Sequence, residues 1–398
     1  MSPRVVVTGL GAVGPHGVGR EALAAAFARG EPLASAVDRS EGFHDGAGSR
    51  LAAAVGAADL GAWLPPSQAR RLGKPSRWAV AASRMALAEA GLADLQGKRA
   101  AVFLATAFGA VHYTEKLVRQ LLDEGPEAAQ PFYFSECVAN AAAGQVAIAL
   151  GASGANVTVT QREAGPLIAL ARGAQEVGEG RADVAIVGSA DEMTPLLHAI
   201  LDRYRATTRA EGESPRPFDR DRDGMLAGEG ATMLVLEREA DATARGASPL
   251  ARIAGSASAF DPTATPSDWG DGADGLGRRL RVMRETLGPI DAIVSGASGT
   301  RRGDRLEALV LRSGWDGGAL PPVLVPKAVV GEYAGGVLSG GLLALAGASF
   351  GPVAGFRSPD PELLVMPHDG SRFPRPARIL ASSLAAGGAA AWAVLERA

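Results

Sequence analysis

The chain has 398 residues, and its 40 Lys+Arg against 43 Asp+Glu leave a net charge of −3, without the basic surplus of a general nucleic-acid binder. Its single Cys excludes a disulfide framework and a Cys-rich zinc site within the chain. A hydrophobic content of 47% allows a large core, and the length suggests two or three domains.

The opening MSPRVVVTGL has no charged stretch followed by an apolar one, so no secretory signal is read there. A soluble, cytoplasmic protein is expected. Short β-branched runs alternate with Ala-rich stretches, the pattern of α/β layering with strands buried on both faces. Strands are predicted over Arg4–Thr8, Ala100–Leu104, Val157–Thr160, Val184–Val187, Thr232–Glu237, Ala292–Ser295, Val323–Val325 and Arg378–Ala381. The clearest helix is Arg77–Ala90. Ser76 offers its N-cap, Trp78, Ala82, Met85 and Leu87 or Ala88 its apolar side, and Gly91 its stop. The polar segment Thr207–Arg222 interrupts the pattern, and the Gly/Asp-rich Pro262–Gly277 reads as a surface loop. Ala328–Phe356 is strongly apolar, but Glu332 and many glycines favour a buried small-residue helix, a turn and a strand over a membrane span. Similar Gly/Ser turns close Asp183–Glu192, Asp291–Thr300 and Arg378–Gly388. This echo suggests two similar α/β halves, 1–245 and 246–398, with a seam near Ala240–Arg252.

Three segments carry a family resemblance. VVVTGLGAVGPHGVG (Val5–Gly19), LPPSQARRLGKPSRWAVAASRMALAEAGL (Leu64–Leu92) and, most specifically, RPFDRDRDGMLAGEGATMLVLE (Arg216–Glu237) resemble segments of the β-ketoacyl synthases. The resemblance covers essentially the whole chain. It implies a thiolase-like α/β fold of five αβαβα layers, with two pseudo-twofold related halves and usually a dimer.

That family attacks an acyl thioester with a Cys at the N-terminus of a buried helix. Two His residues support malonyl decarboxylation and stabilise developing negative charge. Matching the helix and the strand beyond it puts Glu163 in the Cys slot, with Arg162 the next candidate if the alignment slips by one. In GASGTRRGD (Gly296–Asp304), anchored on Thr300, Asp304 and Glu307, the first His position is Gly296. KAVVGE (Lys327–Glu332) keeps Lys327 and Gly331 but has Glu332 at the second His position. The family's Gly-Phe-Gly-Gly turn reads Ala385-Ala386-Gly387-Gly388 here. His16, His44, His112, His198, His368 and Cys137 all lie outside these motifs, and Cys137 is expected to be a buried small hydrophobe.

A family member without the thiol and both imidazoles resembles the chain length factor of type II polyketide synthases. Such partners usually carry Gln in the Cys slot, and Glu163-Ala164-Gly165 is similar to their Gln-Ala-Gly. The resemblance implies a heterodimer with an active ketosynthase, whose acyl tunnel this chain would shape. Phe108, Val111, His112, Tyr113 and Thr114 would form the tunnel floor, with Phe132 and Phe134 from the next interface segment. No cofactor or metal is implied; acyl chains would arrive on the phosphopantetheine of an acidic acyl carrier protein. Its docking candidates are Arg70, Arg71, Lys74 and Arg77, and Arg301, Arg302 and Arg305. An ionised Glu163 would suit a helix N-terminus, by about 0.3–1 kcal/mol, and Glu332 is expected to pair with Lys327. Two other readings stand beside this one: a self-sufficient malonyl-thioester decarboxylase or thioesterase using Glu163, and a homodimeric acyl-binding protein without catalysis.

Overall fold

The computed structural model describes residues 4–40, 48–209, 211–333 and 335–398. Ten strands build the main sheet, numbered here in chain order. The first five are β1 (Val5–Gly14), β2 (Ala100–Ala105), β3 (Asn156–Val159), β4 (Val184–Asp191) and β5 (Gly230–Arg238). The second five are β6 (Ala251–Phe260), β7 (Ala292–Ser295), β8 (Val323–Leu324), β9 (Arg378–Leu384) and β10 (Ala389–Glu396). Their spatial order is β8-β7-β9-β10-β6-β1-β5-β4-β2-β3, with a two-residue strand, Gly17–Val18, beside β1.

This order is a duplication. The first half runs β1-β5-β4-β2-β3 and the second β6-β10-β9-β7-β8, each strand five places on in the chain. Pair directions repeat as well: two antiparallel pairings from the middle outward, then two parallel ones, in both halves. The halves join through a short pairing of Val6 and Val7 with Arg252 and Ala251. Two of the Gly/Ser turns seen in sequence close β4 and β9, which occupy equivalent places.

Side-chain alternation along the strands separates three cores. In β2, Ala101, Phe103 and Ala105 face a central core, whereas Ala100, Val102 and Leu104 face an outer one. In β9, Ile379 and Ala381 face the same centre, and Leu380 faces the opposite outer core. The helices Gly165–Gly178 and Gly336–Ala346 fill the centre. Lys74–Glu89 and Ala141–Leu150 cover one outside, and Ala273–Leu287 and Arg301–Gly314 the other. Helices, sheet, helices, sheet, helices make five layers: the thiolase-like architecture.

Several local expectations need correction. The first outer helix starts at Lys74, so Ser76 lies inside it, where its hydroxyl donates to Glu136 Oε2 (2.9 Å) instead of capping. Gly91 does close that helix: with φ 69°, it lets the Leu92 amide reach the Leu87 carbonyl (2.9 Å). Pro262–Gly277 is a loop only to Gly272, because the helix Ala273–Leu287 begins there and buries Ala273, Leu276 and Gly277. The apolar segment forms the buried helix Gly336–Ala346, but no strand follows; Pro352 makes only an isolated bridge with Asp369. Among the described residues no helix is long and apolar enough to cross a membrane.

Candidate functional site

The three positions singled out in the sequence meet in one pocket. After β3 the chain makes a 3₁₀ turn, Arg162–Ala164, that feeds the central helix Gly165–Gly178. Arg162 has φ 44°, a left-handed conformation that side chains rarely adopt, and it directs Glu163 to the helix N-terminus. Ser383, in β9, donates to the Glu163 carbonyl at 2.6 Å and ties the second half to this turn. Part of Glu163 reaches the surface, but its Oε2 is buried without a hydrogen-bond partner. Burial, and next the charge of Glu332, push its pKa up to about 7. Glu163 lines the pocket with Gly296 and Glu332, whereas Arg162 does not.

Glu332 is set by backbone bonds, its amide donating to the Leu226 carbonyl (2.7 Å) and its carbonyl accepting from Gly228 (3.3 Å). Gly331 before it needs φ 76°, and a Cβ there would lie 2.6 Å from that of Ala53. The expected ion pair forms: Lys327 Nζ stands 2.5 Å from Glu332 Oε1, the lysine side chain fully buried and the glutamate 9% exposed.

Gly296 follows β7. A Cβ at this position would meet Ser383 Oγ at 2.8 Å and the Ser382 carbonyl at 3.0 Å, so the second half fills the space a side chain would need. Beneath it, buried Asp304 accepts from the amides of Phe218 (2.8 Å), Ser298 and Gly299 (both 3.1 Å). These bonds join the Arg216–Glu237 segment to the Gly296 turn. Burial nonetheless raises the Asp304 pKa to about 6 and that of Glu307, which accepts from Ser295 Oγ (3.0 Å), to about 7. Three glutamates and an aspartate, Glu163, Glu307, Glu332 and Asp304, thus line one pocket. The space left between them is about 10 Å³, room for one water.

The tunnel-floor residues gather elsewhere, on the helices Val111–Asp123 and Pro131–Cys137 and, for Phe108, in the bend before the first of them. Tyr113 is their hub, edge-on to Phe132 (5.1 Å) and His112 (5.2 Å) and tilted against Tyr133 (5.7 Å). Val111 is half-buried, and Thr114 donates to the Ala110 carbonyl (2.9 Å). Phe108 and Phe132 are partly exposed, and Phe134, Leu122 and Ile148 more so, at 64%, 79% and 78%. This apolar face adjoins β3, which among the described residues pairs only with β2 and leaves one sheet edge open. An open edge with apolar neighbours is the surface a subunit contact covers. Cys137 ends the second helix half-buried, not in the core as expected, because that helix lies on this face.

Sequence reasoning missed Glu192, the anchor of this face: its Oε1 accepts from the His112 amide (2.7 Å) at the start of Val111–Asp123. Burial raises its pKa to about 7. It missed Ser383 and Trp269 too, although a lone indole in the polar run SDWGDG was a usable signal.

Of the docking candidates, Arg70, Arg71 and Arg301 are exposed, and Lys74 Nζ lies 4.0 Å from Glu229. Arg77 donates to its own chain at the Leu72 carbonyl (2.7 Å). Arg302 and Arg305 are engaged by Asp268 and by Asp271 (3.7 Å), so the second cluster is largely neutralised within the chain. His16, His198 and His368 lie away from the pocket, and burial lowers the His16 pKa to about 4. His44 falls outside the described residues.

Residues 2–242 match the family model for the N-terminal domain of β-ketoacyl synthases. The chain belongs to the β-ketoacyl synthase family. It is 31% identical over 385 residues to the tetracenomycin polyketide synthase ketoacyl synthase alpha subunit of Streptomyces glaucescens, covering 90% of this chain and 88% of that one. The beta subunit of the same synthase is 30% identical over 371 residues, 90% of each chain. Among solved structures, the ishigamide ketosynthase/chain length factor superimposes with a TM-score of 0.90, 29% identity and full coverage of both chains. Alpha and beta subunits are matched almost equally, so overall identity does not separate the two roles. The side chains in the pocket must.

Proposed function

We propose that this β-ketoacyl synthase homologue is a chain length factor: a non-condensing subunit that pairs with an active ketosynthase of a type II polyketide synthase. The carrying observation is the chemistry of one pocket. Where the family's thiol and two imidazoles belong, this chain has Glu163, Gly296 and Glu332. None is a thiolate nucleophile, and none is an imidazole. Lys327 answers Glu332 with an ion pair, and the remaining space holds about one water. Condensation chemistry has no attacking group here.

The open sheet edge and the apolar face around Tyr113 supply the second half of the reading. A ketosynthase subunit docked there would meet the aromatic cluster at its acyl tunnel, and the cluster would set how far a chain grows. Carrier-borne acyl groups, on phosphopantetheine, would be delivered to the partner's cysteine. The likeness to the ishigamide ketosynthase/chain length factor and to the tetracenomycin beta subunit supports this assignment.

A turnover assay tests it. This chain and an intact ketosynthase are each expected to be inactive on malonyl-carrier alone, and to form a polyketide when purified as a 1:1 complex. A second reading, a decarboxylase or thioesterase, draws on the burial that pushes the Glu163 pKa up to about 7, the range where general acid–base catalysis works best. Release of carbon dioxide or free acid by the single chain, abolished by Glu163→Ala, would favour that reading.

A further inference from the structure

Trp269 stands at the tip of the loop between β6 and the helix Ala273–Leu287, in an otherwise polar stretch. The two ends of that loop are held by one carboxylate. Asp261 Oδ1 accepts from the Thr263 amide (2.9 Å) and hydroxyl (2.7 Å), and Oδ2 accepts from the Gly272 amide (2.9 Å). The tip is tied from both sides as well. Gly387 donates to the Asp268 carbonyl (3.1 Å), and Arg302 both pairs with the Asp268 carboxylate and donates to the Trp269 carbonyl (2.7 Å).

These ties press the indole onto the first turn of the helix Arg301–Gly314. A Cβ on Gly303 would lie 2.7 Å from Trp269 Cζ2 and 2.9 Å from Cε2. Glycine within a helix costs roughly 0.5–1 kcal/mol relative to alanine, and here its bare backbone is what lets the ring approach. The same ring lines the pocket that holds Glu163, Gly296 and Glu332. With the ring in place the pocket has about 10 Å³ of free space, whereas small-molecule sites span roughly 300–1,000 Å³.

We infer that Trp269, latched by Arg302, closes this subunit's pocket to a thioester-bearing pantetheine arm and so leaves the partner's pocket as the one the arm can enter. The inference rests on reading the chain as a ketosynthase partner, and it adds a residue that enforces the division of labour. Loss of the nucleophile makes the subunit unreactive; the indole also keeps the arm from stalling in a dead-end site. In the partner, the equivalent mouth must stay open.

Thiol access measures the closure directly, on the full chain and without a partner. Glu163→Cys in a Cys137→Ser background leaves one thiol, at the pocket. A pantetheine analogue tipped with a bromoacetamide then reports access through intact-mass alkylation rates. Adding Trp269→Ala should raise the rate at least roughly tenfold, and Arg302→Ala, which keeps the ring but removes its latch, should raise it less. Equal rates with and without the indole, in proteins of matching circular dichroism, would overturn the inference. Should Trp269→Ala fail to fold, an unchanged rate in Arg302→Ala would overturn it equally. Because no polyketide is made in this assay, its failure is distinguishable from failure of the chain-length role, which is read from products of the complex.

Discussion

At the scale of single residues, a carboxyl that burial keeps partly protonated stands, on the proposed reading, where the family has a reactive thiol. An ionised Glu163 would add charge to a site where Glu332 already answers Lys327, so the neutral acid, close in shape to glutamine, persists up to a pH of about 7. The sign of the pH effect follows. A carboxyl whose folded pKa is raised contributes its full stability below its unfolded pKa, and loses it as pH rises towards about 7. Glu163→Gln removes this titration, so its stability should fall less between pH 5 and pH 8. At pH 8 the variant should exceed the parent by about 1–3 kcal/mol in urea unfolding. An unchanged pH slope would show that Glu163 titrates in the folded chain as it does in the unfolded one. The ion pair predicts the opposite response. Lys327→Met strands the Glu332 carboxylate, and Glu332→Ala strands a fully buried ammonium; each should cost about 3–5 kcal/mol. A double variant, Lys327→Met with Glu332→Leu, should recover much of that loss.

At the scale of elements, the helix Val111–Asp123 differs from those of the core because none of its residues is fully buried. Its place depends on Glu192 at its first turn and on the Tyr113 aromatic cluster. If this helix floors the partner's tunnel, Tyr113→Ala should lengthen the products of the complex by a two-carbon unit or more, measured by mass spectrometry. Glu192→Ala should broaden the product distribution, whereas Glu192→Gln, which keeps an acceptor for the His112 amide, should not. Product lengths unchanged across all three variants would remove the helix from the tunnel. Much of this level was legible in sequence. Val184 and Val323 announced buried strands and Val157 the edge strand through β-branched runs, and Gly91 announced a helix stop. β6 and β10 were not legible. ARIAGSASAF and AAAWAVLE are rich in residues with weak β preference, and only their central place in the sheet makes them strands. Trp269 was passed over because its loop reads as polar surface, and its partner Gly303 lies 34 residues away in the chain.

At the scale of the whole molecule, duplication explains why the pocket exists at all. The central helices of the two halves share one core, and the ends of β3, β7 and β9 bring Glu163, Gly296 and Ser383 to one point. The same duplication leaves β3 as an open edge beside an apolar face, and a pair of such scaffolds would cover it. The proposed absence of the thiol and both imidazoles rests on motif positions, which are read from sequence. The filling of the vacated space at Gly296 by Ser383 was not legible there, because the two residues lie 87 positions apart in the chain. Glu163→Cys alone should therefore yield no carbon–carbon bond formation by this chain, since Gly296 and Glu332 leave both imidazole roles empty. Measurable condensation by that single variant would refute the placement of these positions.

The most direct test of the central claim is intact-mass analysis of the purified 1:1 complex with a ketosynthase after exposure to acyl-loaded carrier protein. The account predicts acyl mass on the ketosynthase alone, polyketide formed only by the pair, and an unmodified 40.5 kDa chain. Acyl mass on this chain, or turnover without the partner, would contradict it.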